Sequence, residues 1–224
     1  MEADNIDGKK EPKRLPVWAC ISLFIVVLFI FIGLYGTLVS GGLSLVLGVE
    51  ARHPGVVGYI FVEASMLLAV LTAAVILLRL ERRPFSDLGL SLKGHASGLW
   101  YGLLMAILLY LLGFGISVVL GEIEVTGFQF KPLDLLGSWV FFLLVALFEE
   151  ILMRGYILGR LLHTNMNKFL ALFISSALFA FMHIFNPEIA FLPMLNLLLA
   201  GMLLGASSVS YTHLRAHETL RHLV

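Results

Sequence analysis

The chain has 224 residues, of which 59% are hydrophobic and 13% charged, and its formal net charge is zero. A soluble domain carries about 25% charged residues, so this composition excludes an ordinary soluble protein. Because lysine and arginine form no cluster, we expect no nucleic-acid partner. The single cysteine, Cys20, excludes a disulfide within the chain, and the expected partner is the lipid bilayer.

Long apolar stretches recur along the chain, and the first is too long for a cleaved signal peptide. The pattern predicts an all-α fold, a polytopic transmembrane helix bundle of about six spans. These spans are expected at about 17–39, 56–78, 98–120, 133–152, 168–185 and 189–206. The spacings Gly98-x-x-x-Gly102 and Gly201-x-x-x-Gly205 favour close helix packing in lipid.

Basic residues are concentrated at alternate ends of the predicted spans. If the N-terminus is cytoplasmic, the inner side holds most of them and the outer side holds Arg52 and Lys131. Cytoplasmic loops carry an excess of lysine and arginine, so this asymmetry predicts a cytoplasmic N-terminus. The chain is then expected to begin with a cytoplasmic tail over 1–16 and a three-span region over 17–130.

Two adjacent carboxylates, Glu149 and Glu150, stand near the end of the fourth predicted span and are followed by Arg154. A charged residue at mid-membrane costs about 2.5–3.5 kcal/mol, so such residues need a partner or a water-filled cavity. Glu150 and Arg154 share a helix face at i,i+4, which predicts an ion pair. Glu149 lies about 100° around the helix and is left available as a general base.

The fifth predicted span carries Phe179 and His183, which also share a helix face at i,i+4. An imidazole at the end of an apolar helix can bind a metal, orient water or donate to an oxyanion. Taken alone, such a histidine is more often a hydrogen-bonded helix-end residue, and a Glu-Glu-x-x-x-Arg pattern is common on soluble helices. Both patterns together, on consecutive spans of a charge-poor chain, favour catalysis.

The pattern E-E-x-x-x-R on one span and F-x-x-x-H on the next resembles the CPBP family, the CaaX-protease and bacteriocin-processing intramembrane proteases. The resemblance covers 131–207, which we interpret as a partial protease core. It implies an endopeptidase that cleaves a peptide or a membrane-anchored protein at or near the membrane. It also implies a multi-pass protein of a bacterial plasma membrane.

The resemblance implies a role for each motif residue. Glu149 would activate the attacking water, and His183 would hold that water or a metal. Glu150, Arg154 and Phe179 would support the site. It stays open whether a divalent metal such as zinc, with His183 and Glu149 as ligands, takes part.

The third motif of that family, H-x-x-x-N or H-x-x-x-D on a further span, does not occur in the sequence that follows His183. Residues 208–224 instead resemble a translated DNA-library adapter, and we expect them to be a sequencing artefact. His217-Glu218 and His222 miss the zinc-protease spacing H-E-x-x-H by one residue. The native protein is therefore expected to continue into a further span, and this chain to be incomplete for activity.

Two other interpretations stay open. The chain could be a non-catalytic membrane protein, such as a transporter subunit or peptide-binding sensor, whose Glu-Arg network is structural. It could also be a catalytically inactive relative that binds peptides. Glu63 in the second predicted span is another intramembrane carboxylate, which either has a function or simply reaches water.

The predicted topology sets a condition on the site. Simple spans would place Glu149 and His183 at opposite membrane faces, because the two spans run in opposite directions. We therefore expect the fourth span to continue as one helix to about Leu162, since no proline follows Gly155 there. On that longer helix Glu149 lies deeper in the membrane and faces His183 across a polar cavity.

Overall fold

The computed structural model of the chain describes residues 15–47, 55–90, 96–187 and 189–221. Within these ranges all regular secondary structure is helical, which confirms the all-α prediction. The helices are α1 (Val17–Leu47), α2 (Gly55–Leu80), α3 (Ala96–Val119), α4 (Pro132–Glu150), α5 (Gly159–Leu162), α6 (Lys168–Met182) and α7 (Phe191–Arg221). A 3-10 turn at Phe85–Leu88 follows α2, and a π-helix at Ile151–Leu158 joins α4 to α5.

Four stretches among the described residues are long and apolar enough to cross a membrane, which indicates an integral membrane protein. They are Val17–Leu45, Gly55–Leu80, Trp100–Val119 and Pro132–Leu162. The fifth and sixth predicted spans correspond to shorter apolar helices, Lys168–Met182 and Phe191–Ser207. The count of six spans and the cytoplasmic N-terminus therefore stay predictions.

The fourth span is longer than the predicted range 133–152. It begins at Pro132, in the first helical turn, where a missing backbone N–H costs no hydrogen bond. From there the helical path continues to Leu162, changing from α to π geometry after Glu150. No proline interrupts this stretch, so the expectation of one continuous helix to Leu162 is confirmed.

The core forms where α1, α2 and the π-helix meet. Phe24 of α1 is fully buried, and its ring stacks on that of Tyr156 with centroids 3.9 Å apart. The α2 face of this core consists of small and aliphatic residues, namely Ala69, Val70, Ala73, Ala74 and Leu77. By contrast, no residue of α3 between Trp100 and Val119 is buried, which leaves these apolar side chains to contact lipid.

Helices α6 and α7 approach closely at the two glycines of α7. A Cβ added at Gly201 would lie 3.1 Å from the Cβ of Ser176, and one at Gly205 would meet the Leu172 side chain. The close packing expected from this glycine spacing is therefore confirmed. At Gly102 of α3, a Cβ would meet no atom of the described residues within 4 Å, so the same expectation stays a prediction there.

Helix α7 runs to Arg221, well beyond the end expected at about residue 206. Val209 is half-buried against the core. The side chains of Ser208 and of residues 210–224, including the tail histidines, lie outside the described part of the chain. The expectation that this tail makes no ordered packing is therefore wrong at Val209, whose side chain packs against the core, and it stays a prediction for the rest of the tail.

Candidate active site

Glu149, in the last turn of α4, and His183, at the C-terminal cap of α6, come together. Oε1 of Glu149 lies 3.5 Å from Nε2 of His183. The two side chains are 30% and 20% exposed, so neither is sealed in the core. The structure thus brings together the two residues to which the sequence analysis assigned the chemistry, at a distance that a shared proton or a water molecule can bridge.

The hydrogen bonding of His183 determines which ring nitrogen faces Glu149. His183 caps the C-terminus of α6, and its backbone N–H bonds to the carbonyl of Ala180 rather than that of Phe179. The Phe179 carbonyl oxygen lies 2.8 Å from Nδ1 of His183 and can only accept, so Nδ1 carries the proton. In a neutral ring Nε2 is then unprotonated, so two acceptors face each other. They are compatible at this distance if they share a proton or if one molecule donates a hydrogen bond to both.

Arg154 links the second glutamate to the histidine. Its guanidinium pairs with Glu150 at 3.4 Å, as the sequence predicted, and its side chain is only 6% exposed. The same guanidinium lies over the Phe179 ring, 5.0 Å from its centroid. That ring in turn meets the His183 imidazole edge-on, with centroids 4.8 Å apart. Glu150, Arg154 and Phe179 therefore form a continuous support behind His183.

Ser175 lies on the same face of α6 as Phe179 and His183, and it was not predicted as a site residue. Its hydroxyl donates to the Met153 carbonyl oxygen at 3.3 Å and so ties α6 to the π-helix. Ser175, Phe179 and His183 follow one another at four-residue spacing, which places all three on one helix face. That spacing was the available signal, but a single serine in an apolar helix carries little information by itself.

Glu63 lies on α2, a helix that packs against α4, the helix that carries Glu149. Its side chain is half-buried. Tyr59, one turn earlier on α2, meets Phe141 of α4 edge-on with ring centroids 6.3 Å apart. The α2 face that carries Glu63 therefore packs toward the helix that carries Glu149.

Glu149 and His183 are the two side chains of the site that could bind a metal. A catalytic zinc ion takes three protein ligands and keeps a further position for water. Across the described ranges, no group of three or more His, Cys, Asp or Glu side chains converges. Glu149 and His183 alone therefore do not fit a zinc centre, which would need a ligand from another part of the protein.

An open apolar groove follows one face of α3. Its lining residues are Leu111, Leu112, Gly115, Ile116, Val119 and Leu120. None of the candidate site residues lines it, so it is not the polar cavity expected between Glu149 and His183. That cavity stays a prediction.

Part of the chain matches a protein-family model. The family model described as "Type II CAAX prenyl endopeptidase Rce1-like" matches residues 131–216. This segment contains every candidate site residue named from the two motifs, and the resemblance to CAAX proteases is confirmed over it. No curated protein and no solved structure matches the chain.

Proposed function

Because the segment with both motifs matches a CAAX prenyl endopeptidase family, we propose that this protein is an intramembrane endopeptidase. Glu149 acts as the general base, and His183 is its partner. The observation that supports this proposal is the 3.5 Å approach of Glu149 Oε1 to His183 Nε2 within a bundle of apolar helices. Ionisable groups in such surroundings are costly and are retained mainly where they function.

In the proposed reaction, a water molecule donates a hydrogen bond to Glu149 and is oriented by His183. Glu149 takes a proton from this water while the water oxygen attacks the carbonyl carbon of the scissile peptide bond. The tetrahedral intermediate collapses with cleavage of the C–N bond, and the proton held by Glu149 passes to the leaving amine. One water is consumed, a carboxylic acid and an amine form, and Glu149 returns to its carboxylate.

The supporting residues hold the imidazole in the orientation that this reaction needs. The Phe179 carbonyl fixes the proton on Nδ1, so that Nε2 is the nitrogen presented to Glu149. Arg154 lies over the Phe179 ring and is itself paired with Glu150. Zinc dependence is a separate proposal that needs a third ligand, and no step above depends on it.

The substrate is proposed to be a peptide or a membrane-anchored protein cleaved at or near the bilayer. The name of the matching family favours prenylated C-terminal CAAX peptides as the first class to test. Bacteriocin-type peptides are the second class, from the resemblance of the motifs. We propose a bacterial plasma membrane as the location.

The test is cleavage by the protein reconstituted in liposomes, with products identified by mass spectrometry. The substrates are a farnesylated CAAX peptide and a bacteriocin-type leader peptide. The Glu149→Gln variant keeps the shape of the side chain but cannot accept the proton, so cleavage should fall at least about 100-fold. The Glu122→Gln variant, at an exposed carboxylate between α3 and α4, is the matched control and should cleave normally.

We also propose that full activity needs the third motif of the family on a further span, a motif that does not occur after His183 in this sequence. The assay is therefore run on the 224-residue chain and on the chain followed by a span that carries this motif. Failure of both forms to cleave either peptide, or unchanged cleavage by Glu149→Gln, contradicts the protease proposal and favours a structural Glu-Arg network. Full cleavage by the 224-residue chain contradicts only the need for the third motif.

A further inference from the structure

A second cluster of buried polar side chains lies where α2 ends, apart from the Glu149–His183 pair. The carboxylate of Glu81 accepts a hydrogen bond of 2.7 Å from the Tyr156 hydroxyl through one oxygen. Its other oxygen is ion-paired with Arg160. The side chains of Glu81 and Arg160 are only 7% and 8% exposed, and Tyr156 is fully buried. We call Glu81, Tyr156 and Arg160 the Glu81 clamp.

The chain that follows the clamp glutamate continues along the same side of the π-helix. The turn Phe85–Leu88 lies against two glycines one helical turn apart, Gly155 and Gly159. A Cβ at Gly155 would lie 3.1 Å from the Leu88 carbonyl oxygen, and one at Gly159 would lie 3.7 Å from that of Asp87. The absence of side chains at these two positions lets the turn sit directly on the π-helix backbone.

The other side of the π-helix is held by α6. Ser175 donates its hydroxyl to the carbonyl of Met153, and the next residues on that face are Phe179 and His183. The π-helix therefore lies between the Glu81 clamp and the helix that carries the catalytic imidazole. A displacement of the π-helix would change the contact that Arg154 makes with the Phe179 ring.

The π-helix itself needs such support. π-Helices are rare and usually last a single turn, often at functional sites, whereas this one extends over eight residues. It begins directly after Glu150 and contains Arg154, so its register sets where the Arg154 guanidinium lies. Contacts that keep the π-helix in this register therefore also keep Arg154 in place against the Phe179 ring, behind His183.

We propose that the Glu81 clamp is a positioning device for the active site: it fixes the register of the π-helix, and thereby the approach of Glu149 to His183. Glu81, Tyr156 and Arg160 touch no reacting atom in the proposed chemistry. Buried ion pairs add little to stability compared with apolar packing, which fits a role in orientation better than one in stability. The kinetic consequence of the clamp rests on the proposed function, whereas its geometric consequence does not.

The first experiment measures the geometry without any cleavage. In the Glu149→His variant two imidazoles face each other and can bind a nickel ion between them. Because nickel then binds the folded state, it should raise the melting temperature of the purified protein. Adding Tyr156→Phe, which removes one hydroxyl and keeps the ring stacked on Phe24, should reduce this nickel-induced shift by at least about half. Adding Glu122→Gln instead, remote from the clamp, should leave the shift unchanged.

The clamp ion pair is tested in the same background. Glu81→Gln alone leaves a buried guanidinium without its charge partner and can prevent folding. The apolar pair Glu81→Leu with Arg160→Met removes both charges and is expected to fold, yet it should reduce the nickel-induced shift by at least about half, as Tyr156→Phe does. A full nickel shift in both the Tyr156→Phe and the apolar-pair backgrounds overturns the proposal, and so does a Glu149→His protein that shows no shift at all.

The second experiment measures kinetics in the liposome cleavage assay. Tyr156→Phe and the apolar pair should lower kcat by about 10- to 100-fold with little change in KM, because small displacements of catalytic groups slow the chemistry. Leu28→Ala, a core change of α1 outside the clamp, serves as the control that loses stability but keeps kcat per folded molecule. Unchanged kcat in the apolar-pair variant, with a melting temperature like that of the unmodified protein, overturns the positioning role. If no form of the protein cleaves any peptide, the protease proposal fails and the nickel experiment alone decides the clamp.

Discussion

The Nε2 atom of His183, at the C-terminal cap of α6, lies 3.5 Å from Oε1 of Glu149, in the last turn of α4. The ring is held in this orientation by its own helix, since Nδ1 bonds to the Phe179 carbonyl one turn earlier. The end of α6 therefore does two things at once: it satisfies a helix-terminal carbonyl and aims the free imidazole nitrogen at the glutamate.

The ion pair between Glu150 and Arg154 should contribute to the stability of the fold. Glu150→Gln leaves the Arg154 guanidinium, which is only 6% exposed, without its ionic partner. The free energy of unfolding should therefore fall by about 1–3 kcal/mol, as measured by denaturant titration of the purified protein. Glu124→Gln, in the exposed connection before α4, is the control and should leave stability unchanged. Equal stability of the Glu150→Gln and control variants would show that the pair contributes nothing to folding.

Phe179→Leu tests the support behind the imidazole. The backbone carbonyl that binds Nδ1 remains, but the ring contacts with Arg154 and His183 are lost. Such contacts contribute about 1–2 kcal/mol, so kcat should fall roughly tenfold in the cleavage assay. Phe173→Leu, at a half-exposed position of the same helix, should change kcat little. If both variants slow cleavage equally, the Phe179 ring has no special role.

Ser175→Ala tests the link between α6 and the π-helix. The variant loses the hydroxyl that donates to the Met153 carbonyl and should be destabilised by about 1 kcal/mol. Ser176→Ala is a close control, because that hydroxyl is also buried but bonds within its own helix to Leu172. Thermal unfolding should separate the two variants. A larger loss of stability in Ser176→Ala would argue that the hydrogen bond from Ser175 to Met153 is not the main contribution of Ser175 to stability.

Gly155 and Gly159 should tolerate alanine to different degrees. A Cβ at Gly155 would press on the Leu88 carbonyl at 3.1 Å, and Gly155→Ala should cost about 1–3 kcal/mol. A Cβ at Gly159 would lie 3.7 Å from the nearest backbone oxygens, which is an ordinary contact distance. Gly159→Ala should therefore be neutral or stabilising by up to about 1 kcal/mol, since alanine favours helix more than glycine does. The reverse order in thermal unfolding would contradict the close seating of the Phe85–Leu88 turn.

The parts of the site that the sequence predicted are those set by local helix geometry. Glu150 with Arg154 and Phe179 with His183 are both i,i+4 pairs, whose proximity follows from 3.6 residues per turn. To predict that Glu149 lies close to His183, one further inference was necessary, namely that span four continues past Gly155. That step could be taken from the sequence because a missing helix breaker is itself a local feature.

The parts that the sequence did not predict depend on contacts between distant segments. Glu81 and Tyr156 are 75 positions apart, and no periodicity joins them. No proline marks the π-helix, and the pair Gly155 and Gly159 permits close packing without specifying π geometry, so its wider turns depend on contacts from both sides. Gly102 illustrates the same dependence, because small residues one turn apart permit close packing, yet a Cβ there would meet nothing within 4 Å among the described residues.

The central claim is that Glu149 and His183 act as one unit on the attacking water, and a double-mutant cycle tests it most directly. The variants are Glu149→Gln, His183→Asn, which keeps an amide for the Phe179 carbonyl, and the two combined. The quantity measured is kcat/KM for peptide cleavage in liposomes. Each single variant should lose at least about 100-fold, and the combined variant should be no slower than the slower single one, because residues that act together are not additive. Losses that multiply in the combined variant, or a single variant that cleaves at the normal rate, would contradict the account.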